Sequence, residues 1–190
     1  GCTYKYLNGG PGAPAFIYVR DDAVADLQTP LAGWLGHADP FAFTDHYEAA
    51  EGVQRFVAGT PPILSMAALK GALYAFDGLN LSDVEAKSRR LGNMCLSVFS
   101  RLGLPSPSPP IGKRRGGHVS LIHDHGYAVS RALAKSGIKT DFRTPDTIRL
   151  GLSPLYLSYA DVWRALETLA EILETKRYLD TEFSVRLRVT

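Results

Sequence analysis

Residues 118–174 read HVSLIHDHGYAVSRALAKSGIKTDFRTPDTIRLGLSPLYLSYADVWRALETLAEILE, and the order of elements in this stretch decides the fold. Short β-rich runs predict strands, and apolar residues at helical spacing predict amphipathic helices. The predicted elements are a strand at 119–123, a helix at 126–135, strands at 138–142 and 147–152, and a helix at 159–174. This β-α-β-β-α order predicts a small α/β domain packed on the remnant of a larger one.

A helix and a proline-rich connector are predicted before this domain. The run SDVE at 82–85 has the pattern of a capping box, which opens a helix, and apolar residues follow at roughly helical spacing. The segment PSPSPP at 105–110 predicts a stiff connector, and KRR at 113–115 predicts a solvated loop. After the last predicted helix, residues 178–190 alternate weakly, which leaves an edge strand and a loose tail both open.

The first part of the chain has fewer regular elements. The run AFIYV at 15–19 predicts a short buried strand, and residues 21–59 show no sustained period, which predicts mostly loop. Two prolines at 61–62 predict the start of a helix that continues to about residue 76. Small residues line one face of this helix, which favours close packing against another backbone, within the fold or at a subunit interface: Ala67, Ala68, Gly71, Ala72 and Ala75.

Composition narrows the class of protein. The chain has 190 residues, 45% of them hydrophobic and 21% charged, which is typical of a soluble globular protein long enough to bury a core. A net charge of +2 gives no basis for a nucleic-acid or membrane partner. Cys2 and Cys95 match no metal or redox spacing, so we expect buried thiols in a reducing cytoplasm.

Lys5 lies in the run CTYKYLNGGPG at 2–12, between two tyrosines and directly before a glycine-rich turn. A lysine packed among aromatic rings loses solvation, which disfavours its charged form. The neutral amine is a nucleophile that forms a Schiff base with an aldehyde. The alternative is that the Lys5 stem packs while its ammonium stays in water. The local sequence leaves both interpretations open.

Ordered blocks of the chain resemble kynureninase, a family of pyridoxal-phosphate (PLP) enzymes in the aspartate-aminotransferase fold group. The blocks are GCTYKYLNGGPGAP at 1–14, GWLGHADPF at 33–41, GTPPIL at 59–64, VSL at 119–121, GYA at 126–128, DFR at 141–143, IR at 148–149, PLY at 154–156 and DVW at 161–163. The resemblance implies an α/β fold. Residues 1–80 would be the C-terminal part of the PLP-binding large domain with its interface helix, and residues 81–190 a small C-terminal α/β domain.

The resemblance also implies roles at the cofactor. Lys5 would bind the PLP aldehyde and later move the Cα proton of the substrate. Tyr4 would contact the cofactor phosphate and assist protonation. Trp34 and Thr60 would reach the phosphate of the neighbouring subunit, in a homodimer with a shared active site. Taken without the resemblance, the local sequence favours a core aromatic for Trp34 and a helix N-cap for Thr60.

Arg149 interrupts the apolar run TIRL at 147–150, and a guanidinium in that setting needs a carboxylate partner. The resemblance implies that Arg149 binds the substrate α-carboxylate, with a structural ion pair as the alternative and Arg143 as the fallback. His37 either contacts substrate or holds the Trp34 loop. His118, His123 and His125 do not have the spacing that completes a metal site, so no metal is predicted.

The implied activity is hydrolysis of L-kynurenine, or of 3-hydroxykynurenine, to anthranilate or 3-hydroxyanthranilate and L-alanine, in the tryptophan catabolism that leads to NAD biosynthesis. By this comparison the chain is the C-terminal half of the enzyme. The missing N-terminal half holds the aromatic residue over the pyridine ring and the aspartate at the ring nitrogen. The alternatives are another PLP enzyme of the fold group, either a class V aminotransferase or a desulfurase, and a non-catalytic fragment that acts as an interaction module.

Overall fold

The structure of the chain is a computed structural model, and it describes residues 1–185. The chain divides into two compact units, Gly1–Asp77 and Gly78–Thr190. Large apolar side chains are buried together in the second unit, whereas most of those in the first are exposed. No helix within residues 1–185 combines the length and apolar character needed to cross a membrane.

The first unit contains little regular structure. Its helices are α1 (Asp21–Val24) and α2 (Ile63–Leu73), and 3-10 turns occur at Trp34–Gly36, Gly52–Phe56 and Tyr74–Phe76. The prediction of a helix from the proline pair at 61–62 to about residue 76 is confirmed, because α2 runs directly into the last of these turns. The prediction that residues 21–59 are mostly loop is also confirmed.

The predicted strand at 15–19 is wrong. Ala15 pairs with Cys2 in an isolated bridge, and the Phe16 N–H donates to the Gly1 carbonyl over 2.9 Å. The residues that follow have no regular structure. A strand forms only where a neighbouring strand pairs with it through a ladder of hydrogen bonds. In the described part of the first unit, only the start of the segment at 15–19 has such a neighbour.

Most large apolar side chains of the first unit lie at the surface. Among its described residues, Ala50 is the only buried apolar side chain. The small-residue face predicted on α2 is also largely exposed, and nothing lies within 4 Å of a Cβ built on Gly71. The first unit therefore has no hydrophobic core of its own. Its exposed large apolar residues include Tyr4, Tyr6, Phe16, Ile17, Tyr18, Trp34, Phe41, Phe43, Ile63, Leu64 and Tyr74.

The second unit is built on a three-stranded antiparallel sheet in the order β1-β3-β2. Its elements in chain order are α3 (Leu81–Arg101), β1 (His118–Ile122), α4 (Gly126–Lys135), β2 (Asp141–Arg143), β3 (Thr147–Gly151), α5 (Tyr159–Glu174) and α6 (Thr181–Ser184). The predicted β-α-β-β-α order from residue 118 is confirmed. The β3 strand pairs antiparallel with both β1 and β2, so it lies between them.

The strand register separates an apolar face of the sheet from a polar one. Val119 and Leu121 of β1 lie opposite Leu150 and Ile148 of β3, and all four side chains are buried in one core with α3, α4 and α5. Successive residues of a strand point to opposite faces, so the residues between these four point away from the helices. Arg149 is one of them, and the sheet itself fixes on which face this arginine stands.

Two helix and strand boundaries differ from the predictions for local reasons. The helix α3 begins at Leu81 rather than in the SDVE run, because the Asn80 side chain accepts the Ser82 N–H over 3.0 Å and caps it. The strand β2 begins at Asp141, three residues later than predicted. Ile138 lies beyond α4 but is bonded to its last turn, since its N–H donates to the Leu133 carbonyl over 2.9 Å.

The segment at 105–117 is attached to the second unit more closely than the sequence predicts. The Ser106 hydroxyl donates to the Ser120 carbonyl over 2.6 Å, and the Ser120 N–H donates to the Ser108 hydroxyl over 2.8 Å. Arg115 is not a solvated loop residue, because its guanidinium donates to the Arg89 carbonyl on α3 over 2.9 Å. The connector is therefore hydrogen-bonded along β1.

The C-terminal stretch is helical as far as it is described. Arg177–Leu179 forms a 3-10 turn and α6 follows, with Phe183 buried in the core. The edge strand considered for residues 178–190 is therefore wrong up to residue 185, and residues 186–190 lie outside the described part of the chain. The cysteines also differ from each other: Cys95 is buried as predicted, whereas Cys2 is exposed.

Candidate cofactor and substrate residues

Lys5 lies in a loop that the backbone closes on itself. The Asn8 N–H donates to the Lys5 carbonyl over 3.0 Å, and the Gly10 N–H donates to the Tyr4 carbonyl over 3.0 Å. Asn8 and Gly10 have φ values of 59° and 74°, a left-handed backbone that asparagine and glycine tolerate. The side chain of Thr3, which is buried, donates to the Pro14 carbonyl across the base of the loop. The turn-forming residues therefore fix the backbone at Lys5.

The side chains of Lys5 and Tyr4 are exposed. The Lys5 amine lies 5.5 Å from the centroid of the Tyr4 ring, and Tyr4 itself is 42% exposed. Among residues 1–185, Lys5 is therefore not buried between aromatic rings as that interpretation required, because the flanking tyrosines are themselves at the surface. The loop presents an accessible primary amine and a phenol side by side.

Two glycines bring the turn at Trp34 directly against the backbone of residues 55–58. A Cβ on Gly33 would lie 1.8 Å from the Ala58 carbonyl oxygen, and a Cβ on Gly36 would lie 2.8 Å from the carbonyl oxygen of Val57. The GWLG run thus needs glycine at both ends for contact distance rather than for an unusual φ. The Gln54 side chain supports the same approach by donating to the Leu35 carbonyl over 2.9 Å.

This approach brings together two residues that are 26 positions apart in the sequence. The Trp34 Nε1 atom lies 3.8 Å from a Cβ built on Gly59, the residue directly before Thr60. Within the described residues, neither the Trp34 indole N–H nor the Thr60 hydroxyl has a hydrogen-bond partner, and both residues are exposed. The tertiary structure therefore places the Trp34 indole beside the residue that precedes Thr60.

The alternatives that the local sequence favoured for these residues are wrong. Trp34 is 48% exposed rather than a core aromatic, and its ring meets the Phe41 ring edge-on at 5.8 Å. Pro62, not Thr60, is the N-cap of α2, and no side chain caps the helix. The first backbone N–H groups of a helix are free in that case, and the helix dipole favours an anion beside them.

Both ring nitrogens of His37 are used within the loop. The Nδ1 atom accepts the Asp39 N–H over 2.9 Å, and the Nε2 atom faces the His46 carbonyl at 3.2 Å. An acceptor at Nδ1 and a carbonyl at Nε2 select the neutral tautomer with its proton on Nε2. Of the two roles predicted for His37, the one visible in this structure is holding the Trp34 loop. A cleft of about 570 Å³ lies between Trp34, His37 and Tyr47.

Arg149 forms an ion pair on the polar face of the second unit. Its Nε donates to Asp141 Oδ2 over 2.8 Å, and its Nη2 donates to the same oxygen. Arg143 also contacts this Asp141 oxygen, with its Nη2 atom at 3.2 Å. Partial burial acts to raise the pKa of Asp141, but the hydrogen bond and charge of Arg149, with those of Arg143, outweigh it and hold that pKa below its usual value. The predicted fallback arginine is thus part of the same cluster.

The histidines near β1 form a ring cluster without a metal arrangement. His123 and His125 contact the ring of Tyr178 at centroid distances of 5.1 Å and 5.5 Å. Burial, helped by the charge of His125, lowers the pKa of His123. Among residues 1–185, no three histidine, cysteine, aspartate or glutamate side chains are arranged to hold a metal ion.

Sequence reasoning missed two residues that shape these clusters. Arg55 joins separate parts of the first unit, because its guanidinium donates to the carbonyls of Ala50 and of Val24 over 3.2 Å each. Asp141 was noted only as part of the DFR block, although it is the carboxylate that Arg149 needs. Strand pairing of the two segments, eight residues apart, was the signal that could have identified it.

Comparison with known proteins shows what the chain is similar to. Residues 84–169 match the family described as Kynureninase C-terminal domain. This stretch is similar to kynureninases. Over its whole length the chain is 39% identical to the kynureninase of Burkholderia mallei (strain SAVP1), across 47% of that protein. The kynureninase of Deinococcus radiodurans is 43% identical over 92% of this chain and 43% of its own length.

The resemblance to kynureninase predicted from the sequence blocks is therefore confirmed, and the similarity is to the C-terminal half of these relatives. The chain spans about half the length of the curated kynureninases it matches. Its structure also resembles that of the apo cysteine desulfurase from Thermococcus onnurineus NA1, with a TM-score of 0.72, 23% identity, and coverage of 87% of this chain and 45% of that one.

A second structural relative is a C-DES variant with glycine covalently linked to its PLP cofactor. It matches with a TM-score of 0.65 and 17% identity, over 81% of this chain and 40% of that one. Identities this low show the fold alone. The predicted fold class, an α/β portion of a PLP-dependent enzyme of the aminotransferase fold, is confirmed.

Proposed function

We propose that this chain is the C-terminal half of a PLP-dependent kynureninase. In this proposal the first unit is part of the PLP-binding large domain and the second is the small C-terminal domain. The observation that carries it is the similarity to kynureninases, at 39% identity over the whole chain and 43% identity over 92% of it. The reaction is hydrolysis of L-kynurenine or 3-hydroxykynurenine to L-alanine and anthranilate or 3-hydroxyanthranilate.

The described residues fit PLP as a cofactor. Its aldehyde needs a primary amine, and the exposed Lys5 in its closed loop supplies one. Its phosphate needs donors, and the Trp34 indole N–H, the Thr60 hydroxyl and the uncapped start of α2 supply them. When bound, PLP supplies the electron sink that allows bonds next to the substrate Cα to break.

The chain's own residues then hold the substrate and move protons. Arg149 binds the substrate α-carboxylate through N–H groups that Asp141 does not use. The Lys5 amine would be the base that takes the Cα proton of the substrate. Tyr4 donates its phenolic proton late in the reaction. His37 keeps the Trp34 turn in shape through its two hydrogen bonds rather than by touching substrate.

The proposal includes partners that this chain does not show. The curated relatives are about twice as long, and we propose that the half they carry in addition supplies the ring-stacking aromatic residue and the carboxylate at the pyridine nitrogen. We also propose a homodimer in which Trp34 and Thr60 serve the active site of the neighbouring subunit. We place the enzyme in the cytoplasm, in tryptophan catabolism leading to NAD biosynthesis.

Desulfurase and class V aminotransferase activities have weaker support. The desulfurases resemble this chain at 23% identity or less, which carries the fold but no activity. A desulfurase needs a reactive thiol, and Cys95 does not supply one, because burial raises the pKa of its thiol to about 12 against the opposing charge of Arg115; Cys2 is the exposed thiol. Kynureninase activity therefore remains the proposal that the sequence similarity supports best.

The test combines the chain with the complementary half of the Burkholderia mallei kynureninase and adds PLP. Reduction with borohydride and peptide mapping should place one pyridoxyl group on Lys5, and L-kynurenine should yield anthranilate, which is followed by its fluorescence. Lys5→Arg should abolish both, whereas Lys70→Arg, on the exposed surface of α2, should change neither. A pyridoxyl group scattered over several lysines, with no anthranilate formed, would support the non-catalytic alternative.

A further inference from the structure

The carboxylate of Asp141 holds one edge of the Arg149 guanidinium. Asp141 and Arg149 lie directly opposite each other in the antiparallel register of β2 and β3, so their side chains stand on the same face of the sheet. Asp141 Oδ2 accepts both the Nε and Nη2 groups of Arg149. Because two N–H groups of the planar guanidinium donate to the same oxygen, the guanidinium cannot rotate as it could about a single hydrogen bond.

This pairing leaves a defined part of the guanidinium free. An arginine has five N–H donors in a planar fork, and Asp141 occupies one on Nε and one on Nη2. The two donors on Nη1 and the second donor on Nη2 form the opposite edge. Among the described residues, no hydrogen bond or ion pair uses Nη1 of Arg149. The Arg149 side chain is 29% exposed, so it is not enclosed in the core.

Arg143 sets the charge of the cluster. It contacts the same Asp141 oxygen from its own strand at 3.2 Å, with a side chain that is 60% exposed. The cluster of Arg143, Asp141 and Arg149 therefore carries two positive charges and one negative charge. The remaining single positive charge matches one substrate carboxylate, so a bound amino acid would leave the polar face of the sheet neutral.

We propose that Asp141 is a positioning residue for substrate binding: it fixes the plane of the Arg149 guanidinium so that its free Nη1–Nη2 edge is presented to the α-carboxylate. This inference rests on the proposed function, in which Arg149 binds that carboxylate. It assigns to Asp141 a role in affinity for the acid group rather than in bond cleavage. Loss of Asp141 frees the guanidinium to rotate. Substrate binding must then order this side chain, which lowers the affinity for the substrate.

The first test needs no cofactor and no reaction. In the full chain, arginine Nε–H resonances are observed by ¹⁵N NMR, and exchange with water is measured for the Arg149 group. Its exchange should be at least about ten-fold slower than that of Arg89, whose ion pair with Glu85 is more exposed. Asp141→Asn should remove the protection, whereas Glu85→Gln should leave it unchanged. Equal exchange at Arg149 and Arg89 in the unaltered chain would overturn the proposal without any variant.

The second test separates positioning from structure in the assembled enzyme. Asp141→Asn should raise KM for L-kynurenine about ten-fold or more, with kcat within about two-fold, because the lost interaction is equal in the ground and transition states. The α-carboxamide of kynurenine, which lacks the acid group, should show no such difference between the two enzymes. A KM change of the same size with the amide would assign Asp141 a purely structural role.

A variant at Arg149 distinguishes failure of this inference from failure of the proposed function. Arg149→Lys removes the planar fork and should raise KM for L-kynurenine whether or not Asp141 positions it. If Arg149→Lys raises KM and Asp141→Asn does not, the proposed function stands and the positioning role falls. If neither variant changes KM, Arg149 is not the carboxylate ligand, and the binding role of Arg149 and the positioning role of Asp141 both fall, while kynurenine hydrolysis itself stands. Asp141→Glu, which keeps the carboxylate, should recover most of the affinity lost in Asp141→Asn.

Discussion

Replacement of Gly33 by alanine tests whether glycine places the Trp34 turn. The Gly33 backbone has φ of −142° and ψ of 161°, which alanine adopts readily, so any effect is steric rather than conformational. The added Cβ would lie 1.8 Å from the Ala58 carbonyl oxygen and 2.5 Å from the Ala58 Cα. A carbon and a carbonyl oxygen approach to about 3.3 Å, so the two backbone segments must separate by about 1.5 Å. Both partners are backbone, and neither can rotate aside.

The expected cost of Gly33→Ala is about 1–3 kcal/mol in the local stability of the turn, the range measured for overpacked positions. The chain has two tryptophans, so Trp163→Phe leaves Trp34 as a single fluorescent probe. In that background Gly33→Ala should shift the Trp34 emission to longer wavelength and increase its quenching by acrylamide. In the assembled enzyme it should also weaken PLP binding, because Trp34 and Thr60 no longer lie together.

Gly59→Ala is the matched control, since its Cβ would lie 3.8 Å from Trp34 Nε1, an ordinary contact distance. It should leave the Trp34 emission and quenching unchanged. Identical spectra for Gly33→Ala and the parent would refute the argument, because a 1.8 Å approach cannot persist without movement of the turn. A shift of equal size in Gly59→Ala would also refute it, since the probe would then report any added methyl group.

Three further predictions concern the second unit and the thiols. In the native chain iodoacetamide should modify exposed Cys2 and leave Cys95 unmodified, since burial raises the pKa of the Cys95 thiol to about 12. Mass spectrometry should show one adduct before unfolding and two after it. Leu166→Ala should lower the free energy of unfolding by about 2–5 kcal/mol in urea titrations, because the side chain is 1% exposed in the core, and Glu167→Ala on the exposed face of the same helix should cost far less. Hydrogen bonds from the Ser158 hydroxyl and backbone N–H, with one from Arg164, lower the pKa of Asp161 to about 2. The stability that these bonds give is present above pH of about 4 and is lost as the pH falls through about 2. The Tm difference between the parent and Asp161→Asn should therefore shrink over that pH range.

The elements that were predicted correctly are those whose bonds are local. The helix at 126–135 and the helix at 159–174 have the bounds that their apolar spacing predicted, since each turn of a helix is closed by residues four positions apart. The strand at 15–19 failed for the opposite reason, because its hydrogen bonds depend on a neighbour that the local sequence does not specify.

The sequence by itself determined which chemistry the chain carries: the order of its motif blocks, an amine and a phenol at 4–5, the helices of the second unit and the glycines that a close approach requires. Only the tertiary structure decided which of those groups meet. It brought Trp34 beside the segment that precedes Thr60, paired Arg149 with Asp141 across two strands, used both ring nitrogens of His37 within its loop, and left Lys5 exposed. The physical reason is that backbone propensity acts over a few residues, whereas contact, burial and charge pairing depend on groups far apart in the chain.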